Sequence, residues 1–188
     1  MAGACIKIPA ELFALAESSR FEGTLDMPLM VVGPDDYVFD APVTWFVDVT
    51  NTGSALLVEG RAQGSARCAC SRCLEDVVCD FDGEIEGYFV MQAGDVDFDE
   101  DDDEAPGEDE FDVLPADHII DLEPLIRAAL MVEAPGMPLC REDCAGLCPV
   151  CGANLNEGDC GCGPDKDVAD FNAQANPFSV LADFKFEE

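Results

Sequence analysis

Two runs of apolar–polar alternation joined by a short cysteine-bearing turn constrain this chain more than any other feature. From Leu56 to Cys68, the residues Leu56, Val58, Gly60, Ala62, Gly64, Ala66 and Cys68 share one face, and Leu57, Glu59, Arg61, Gln63, Ser65 and Arg67 share the other. A period of two held over that length is the pattern of a half-buried antiparallel strand. The second run puts Cys79, Phe81, Gly83, Ile85, Gly87 and Phe89 on one side and Asp80, Asp82, Glu84, Glu86 and Tyr88 on the other. About ten residues separate the two, so they read as a hairpin whose tip, ACSRCLED, carries Cys70 and Cys73. The small residues on the inner face of the first run, Gly60, Ala62, Gly64 and Ala66, predict a close approach by something bulky, or curvature.

The neighbouring sequence extends the sheet. Trp45, Val47 and Val49 alternate with Phe46 and Asp48, and NTGS at 51–54 is a turn signal. Cys5 to Ile8 and Phe21 to Leu29 read as further strands, and 33–40 as a turn-rich loop. Helices are expected at three places. Pro9 opens one that runs to about Ala16. Asp121 caps a second, whose stripe is Leu122, Leu125, Ile126, Ala129 and Leu130. Asn176-Pro177 begins a third over NPFSVLADFK. The expected fold class is therefore α+β: an antiparallel sheet or partial barrel covered by a few helices, with a C-terminal cysteine-rich zinc loop. The expected organisation is a body over 1–134 with an acidic mobile loop at 94–112, a cysteine-rich segment over 135–163, and a linker and helix over 164–188.

Charge narrows the function. The chain holds 41 acidic and 9 basic residues, for a net charge of -32. The segment from Asp95 to Asp112 supplies twelve of the acids, which leaves -20 on the rest, so the acidity is global. Nucleic-acid affinity rests on Lys and Arg neutralising phosphates, and such a surface suits a basic protein partner better. Direct RNA contact requires Arg61, Arg67 and Arg72 to cluster beside the hairpin tip. No apolar run approaches the length of a membrane span, and the N-terminus has no basic stretch before its apolar residues, so a cytoplasmic protein is expected.

In a reducing compartment, eleven cysteines argue for metal over disulfides. Cys148-Pro-Val-Cys151-Gly has the form of a zinc knuckle, in which two thiolates reach one ion and the glycine lets backbone amides point at sulfur. A closed site needs four ligands. Cys140 and Cys144 upstream are the favoured completing pair, with Cys160 and Cys162 downstream as the alternative. Four thiolates leave no position for water, so the Zn2+ would be structural. The spacing Cys144-x3-Cys148-x2-Cys151 also occurs around iron–sulfur clusters of radical enzymes, but no barrel-forming sequence follows it. Cys70 and Cys73 read as small apolar residues of a tight turn, as a second thiol pair for redox chemistry, or as two ligands to a metal. His118, the one histidine, reads as structural, and no nucleophile elbow or phosphate-cradling glycine loop is present. An enzyme is not expected.

CSRCL (70–74), DLEPLIRAAL (121–130), PLCREDCAGLCPVCGANLN (138–156) and NPFSVLADFK (176–185) occur in that order. Together they resemble the bacterial YceD family, which is also found in chloroplasts, and the resemblance runs from about Trp45 to the end. It implies a non-catalytic factor in large-subunit ribosome biogenesis that supports accumulation of large-subunit ribosomal RNA. It also implies a binding surface on the sheet and its hairpin tip, around Cys70, Arg72 and Cys73. Combined with the charge, the expected partner is a large-subunit ribosomal protein or a pre-ribosome. A thiol-based redox or metal sensor is the alternative.

Overall fold

A computed structural model describes residues 3–91 and 112–162. The acidic segment predicted as a mobile loop, apart from Asp112, lies outside them, as do the linker and the predicted C-terminal helix. The described chain forms two compact units, one of residues 3–71, 75–91 and 112–140 and a smaller one of residues 72–74 and 141–162.

The larger unit is built on the predicted hairpin. Strands β6 (Ala55–Ala69) and β7 (Asp76–Val90) pair antiparallel along their full length, with Arg67 opposite Val78 and Leu57 opposite Tyr88. The alternation is obeyed: Leu56, Val58, Ala62, Ala66 and Cys68 are buried with Phe81, Ile85 and Phe89. β5 (Val43–Asn51) pairs with β6 over Leu56 to Gln63, and β2 (Ser18–Leu25) pairs with β5. The other end of β6 takes a different neighbour. The predicted loop at 33–40 is instead the turn and second strand of a hairpin, β3 (Leu29–Val32) and β4 (Asp35–Phe39), and β4 pairs with β6 at Ala66 and Arg67. Gly33, at φ +60, supplies the left-handed position that its two-residue turn requires. A two-residue strand, β8 (Asp112–Val113), adds in parallel to β7, which completes a seven-stranded sheet. A separate two-stranded sheet joins β1 (Cys5–Lys7) to β9 (Ile119–Asp121).

The expectation of an α+β body covered by a few helices is corrected. Strands occupy 47% and helical residues 11% of the described chain, and one α-helix is present among the described residues, α1 (Glu123–Glu133). The segment after Pro9 makes only a 3-10 turn, Ala10–Phe13, because Ala14 is already extended and Ala16 turns left-handed at φ +64. Helix α1 follows its predicted stripe, burying Leu122, Ile126, Ala129 and Leu130. Asp121 meets its first turn by accepting the Glu123 N–H at 3.0 Å. The helix packs on the inner face of β7, where Gly83 and Gly87 leave room for Ala129 and Leu125. The core lies between the sheet and a layer of α1, β1, β9 and the 3-10 turn.

The outward face of the sheet is acidic. Asp80, Asp82, Glu84 and Glu86 line β7, Glu59, Asp48, Glu22 and Asp36 lie on the strands beside it, and Asp40 follows the end of β4. Its three arginines are each engaged. Arg20 reaches Asp48 at 3.5 Å, Arg61 bridges Asp82 and Glu84 at 3.0 and 2.8 Å, and Arg67 holds Asp40 with two hydrogen bonds of 2.7 and 2.8 Å.

Candidate metal centre

The smaller unit has almost no ordinary core. Its buried apolar side chains, among the described residues, are Cys73, Cys144 and Cys148. What shapes it is backbone. The Leu147–Asn154 bridge folds the chain back on itself, Leu155 N–H donates to the Gly146 carbonyl at 2.9 Å, and Cys148 N–H donates to the Ala153 carbonyl at 2.8 Å. Gly152 follows the second knuckle cysteine at φ +75 and donates to the Cys148 carbonyl at 2.8 Å, the turn that the sequence predicted for this glycine.

This return brings Cys148, Cys151, Cys160 and Cys162 together, with all four Sγ atoms within 4.8 Å of one another. A tetrahedron with zinc–sulfur bonds of about 2.3 Å has edges of about 3.8 Å, so the group fits such an ion with small adjustment. Cys148 and Cys151 therefore meet the downstream pair, and Cys140 and Cys144 are not members of this group. The backbone N–H groups of Cys151 and then Val150 aim at the Cys148 sulfur and, with Cys160, lower its thiol to about 6. Hydrogen bonding to Cys151 and then Cys160, with burial, pushes Cys162 up to about 12. One sulfur is held ready as a thiolate while another resists ionisation. A divalent soft cation is what would let all four ionise together.

The remaining predicted residues form two further pairs. In the larger unit, Cys70 and Cys140 have Sγ atoms within 4.8 Å, and the Cys140 N–H points at the Cys70 sulfur at 3.4 Å. In the smaller unit, Cys73 and Cys144 are equally close, and the Asn156 side-chain amide donates to the Cys144 sulfur at 3.3 Å. Arg72 is part of this framework. Its guanidinium donates to the Cys144 carbonyl at 2.9 Å, and its own carbonyl accepts from Leu147 N–H at 3.1 Å. Gly146 sits so close to the Arg72 carbonyl that a Cβ there would lie 3.1 Å away. Arg61 and Arg67 are thus held by carboxylates, whereas Arg72 donates to a backbone carbonyl.

One feature escaped the sequence reading. Asn156 ties Ala145 N–H and the Cys144 sulfur together with one side chain, and an Asn five residues past a CxxC is too common to signal this. Cys68 and Cys79 have sulfurs 3.5 Å apart across a diagonal of the hairpin: Cys79 is directly opposite Ala66. His118 packs its ring 4.8 Å from Phe13 and lends its carbonyl to Ile8 N–H, a structural placement.

Fold and cysteines together define a predominantly β protein with a small thiolate-built unit able to hold a metal. The comparisons with known proteins give this class a family. Residues 58–185 match the family model described as large ribosomal RNA subunit accumulation protein YceD, and the chain belongs to that family. It is 35% identical over 107 residues to an uncharacterized protein of Mycobacterium tuberculosis, covering 57% of this chain and 48% of that one. It is 29% identical over 149 residues to an uncharacterized protein of Mycobacterium leprae, covering 78% and 62%. The chain thus spans about half to three-fifths of the length of these relatives. No solved structure matches it. No helix among the described residues is long and apolar enough to cross a membrane.

Proposed function

We propose that this protein is a non-catalytic, cytoplasmic factor that supports accumulation of large-subunit ribosomal RNA by binding a basic protein, either a large-subunit ribosomal protein or one displayed on a pre-ribosome. One observation carries this reading: on the outward sheet face carboxylates outnumber the arginines, and Arg20, Arg61 and Arg67 are all engaged by them. A phosphate backbone would find no uncommitted cation there, whereas a lysine- and arginine-rich protein would find a complementary field. The family description supplies the process, and the charge supplies the kind of partner.

The metal in this reading is a structural Zn2+ held by Cys148, Cys151, Cys160 and Cys162. Zinc would replace the missing apolar core of the smaller unit, its binding energy acting as folding energy.

The test is direct binding of the purified, metal-loaded chain to individual large-subunit ribosomal proteins and to fragments of large-subunit ribosomal RNA, with co-sedimentation on pre-ribosomes. Binding to at least one protein at modest salt, and none to RNA alone, is the expected result. RNA binding with no protein partner would overturn the reading. A second reading, a thiol-based redox sensor, draws on the 3.5 Å approach of Cys68 and Cys79. It would come forward if the purified chain held no metal and its clustered cysteines reacted freely.

A further inference from the structure

An apolar row interrupts the acidic face. Strands β3, β4, β6 and β7 set Leu29, Val38, Arg67 and Val78 opposite one another in succession, all on the outward side. Leu29, Val38 and Val78 are 45%, 40% and 65% exposed, and Val31, the next outward residue of β3, is 55% exposed. Arg67 belongs to the row through its aliphatic stem, because its charged end is turned onto Asp40 and, at 3.8 Å, Asp76. Beside the row β6 changes partner, from β5 at Gln63 to β4 at Ala66. The gap opens a groove of about 610 Å³, lined among others by Pro42, Gly64, Ser65 and Val78.

Isolated apolar residues on a strand need no explanation, but a contiguous group beside a groove marks an interaction site. We propose that this row and groove are the docking surface for a basic polypeptide that seats an apolar side chain in the groove with Lys or Arg residues on either side. Charge complementarity selects this occupant: Asp36, Asp40, Asp76 and Asp80 rim the row, and its one cation is already paired. The apolar contact would carry affinity, and the acid rim would steer encounter and reject acidic partners. The inference rests on the reading that the partner is a basic protein, and adds where that protein binds.

The probes are purified large-subunit ribosomal proteins, taken singly, against the full chain. For the protein that binds, Leu29→Asn with Val78→Asn should weaken affinity at least tenfold at both 50 and 300 mM salt. Asp76→Asn with Asp80→Asn should weaken it several-fold at 50 mM and little at 300 mM, as screening removes the rim's contribution. Thr24→Asn, an exposed outward position on β2, should change affinity less than threefold. Thermal unfolding of each variant separates lost contact from lost fold. Unchanged affinity in the folded row variant would overturn the docking surface while leaving the basic-partner reading standing. Absence of any protein partner would remove both. A dimer of this chain broken by Val78→Asn, or exchange protection of the row by the chain's own remaining segments, would also overturn it.

Discussion

Gly83 of β7 lies directly against the carbonyl of Ala129 in α1: a Cβ at position 83 would sit 2.5 Å from that oxygen and 2.6 Å from its carbon. Both obstacles are backbone, so neither can swing aside. At Gly87, one helical turn away, the obstacle is Cδ1 of Leu125 at 2.7 Å, the end of a flexible side chain. Gly83→Ala should therefore destabilise by about 1–3 kcal/mol, and Gly87→Ala by clearly less. Denaturant unfolding of the two variants checks the order. Equal losses would mean that α1 shifts freely on the sheet.

Asn51 is the one buried polar side chain among the described residues, 2% exposed at the end of β5. Its amide donates to the Leu12 carbonyl at 2.8 Å and its oxygen accepts the Gly53 N–H at 2.7 Å, which ties the 3-10 turn to the β5–β6 turn. Asn51→Leu would strand both partners, and a loss of about 1–3 kcal/mol is expected in equilibrium unfolding.

Tyr37 is fully buried, and its phenol donates to the Pro135 carbonyl at 3.1 Å. Burial, with smaller effects from Cys68, Asp35 and Cys79, raises its pKa from 10.0 to about 12. The fold thus prefers the neutral phenol. The stability this contributes is complete below pH 10 and is lost as pH rises toward 12. Cys68, raised to about 12 chiefly by burial, acts in the same direction. Tyr37→Phe should flatten the fall in stability between pH 10 and 12 without abolishing it. Parallel alkaline curves for the variant and the native chain would refute the assignment.

Metal content divides the structural from the redox account of the cysteines. Chain purified without added metal should carry about one zinc ion, with Cys148, Cys151, Cys160 and Cys162 slow to react with thiol reagents. Cys151→Ser or Cys160→Ser should lower the content by about one ion. Chelation should expose 141–162 to proteolysis, because cysteines are the apolar side chains buried there. The sheet should keep its own thermal transition. Survival of 141–162 intact after complete metal removal would show that its backbone bonds suffice.

Much of the sheet was legible because its signals are local. Alternation in 56–68 and 79–89 reports which side chains face inward, whatever lies above them. The small residues of the 56–68 run also announced a close neighbour, and a Cβ at Gly64 would lie 3.2 Å from both Phe39 and Val43. The hairpin at 29–39 was missed because Gly33-Pro34 and the acids around them read as loop chemistry, while burial of Met30, Tyr37 and Phe39 overrode composition. The helix after Pro9 was overread, since a starting signal says nothing about where the backbone must turn.

The sequence by itself determined the inward and outward faces of the hairpin, the α1 stripe, the knuckle turn at Gly152 and the acidity of the outward face, since each depends on residues near one another in the chain. Only the tertiary structure decided which cysteines meet. Cys140 and Cys144, eight and four residues before Cys148, are nearer to the knuckle in sequence than Cys160 and Cys162, nine and eleven residues after Cys151. The Leu147–Asn154 bridge and the Gly146–Leu155 hydrogen bond are what carry the downstream pair back to it. The apolar row was equally invisible in one dimension. Leu29, Val38, Arg67 and Val78 become neighbours only because β6 leaves β5 at Gln63 and takes up β4 at Ala66.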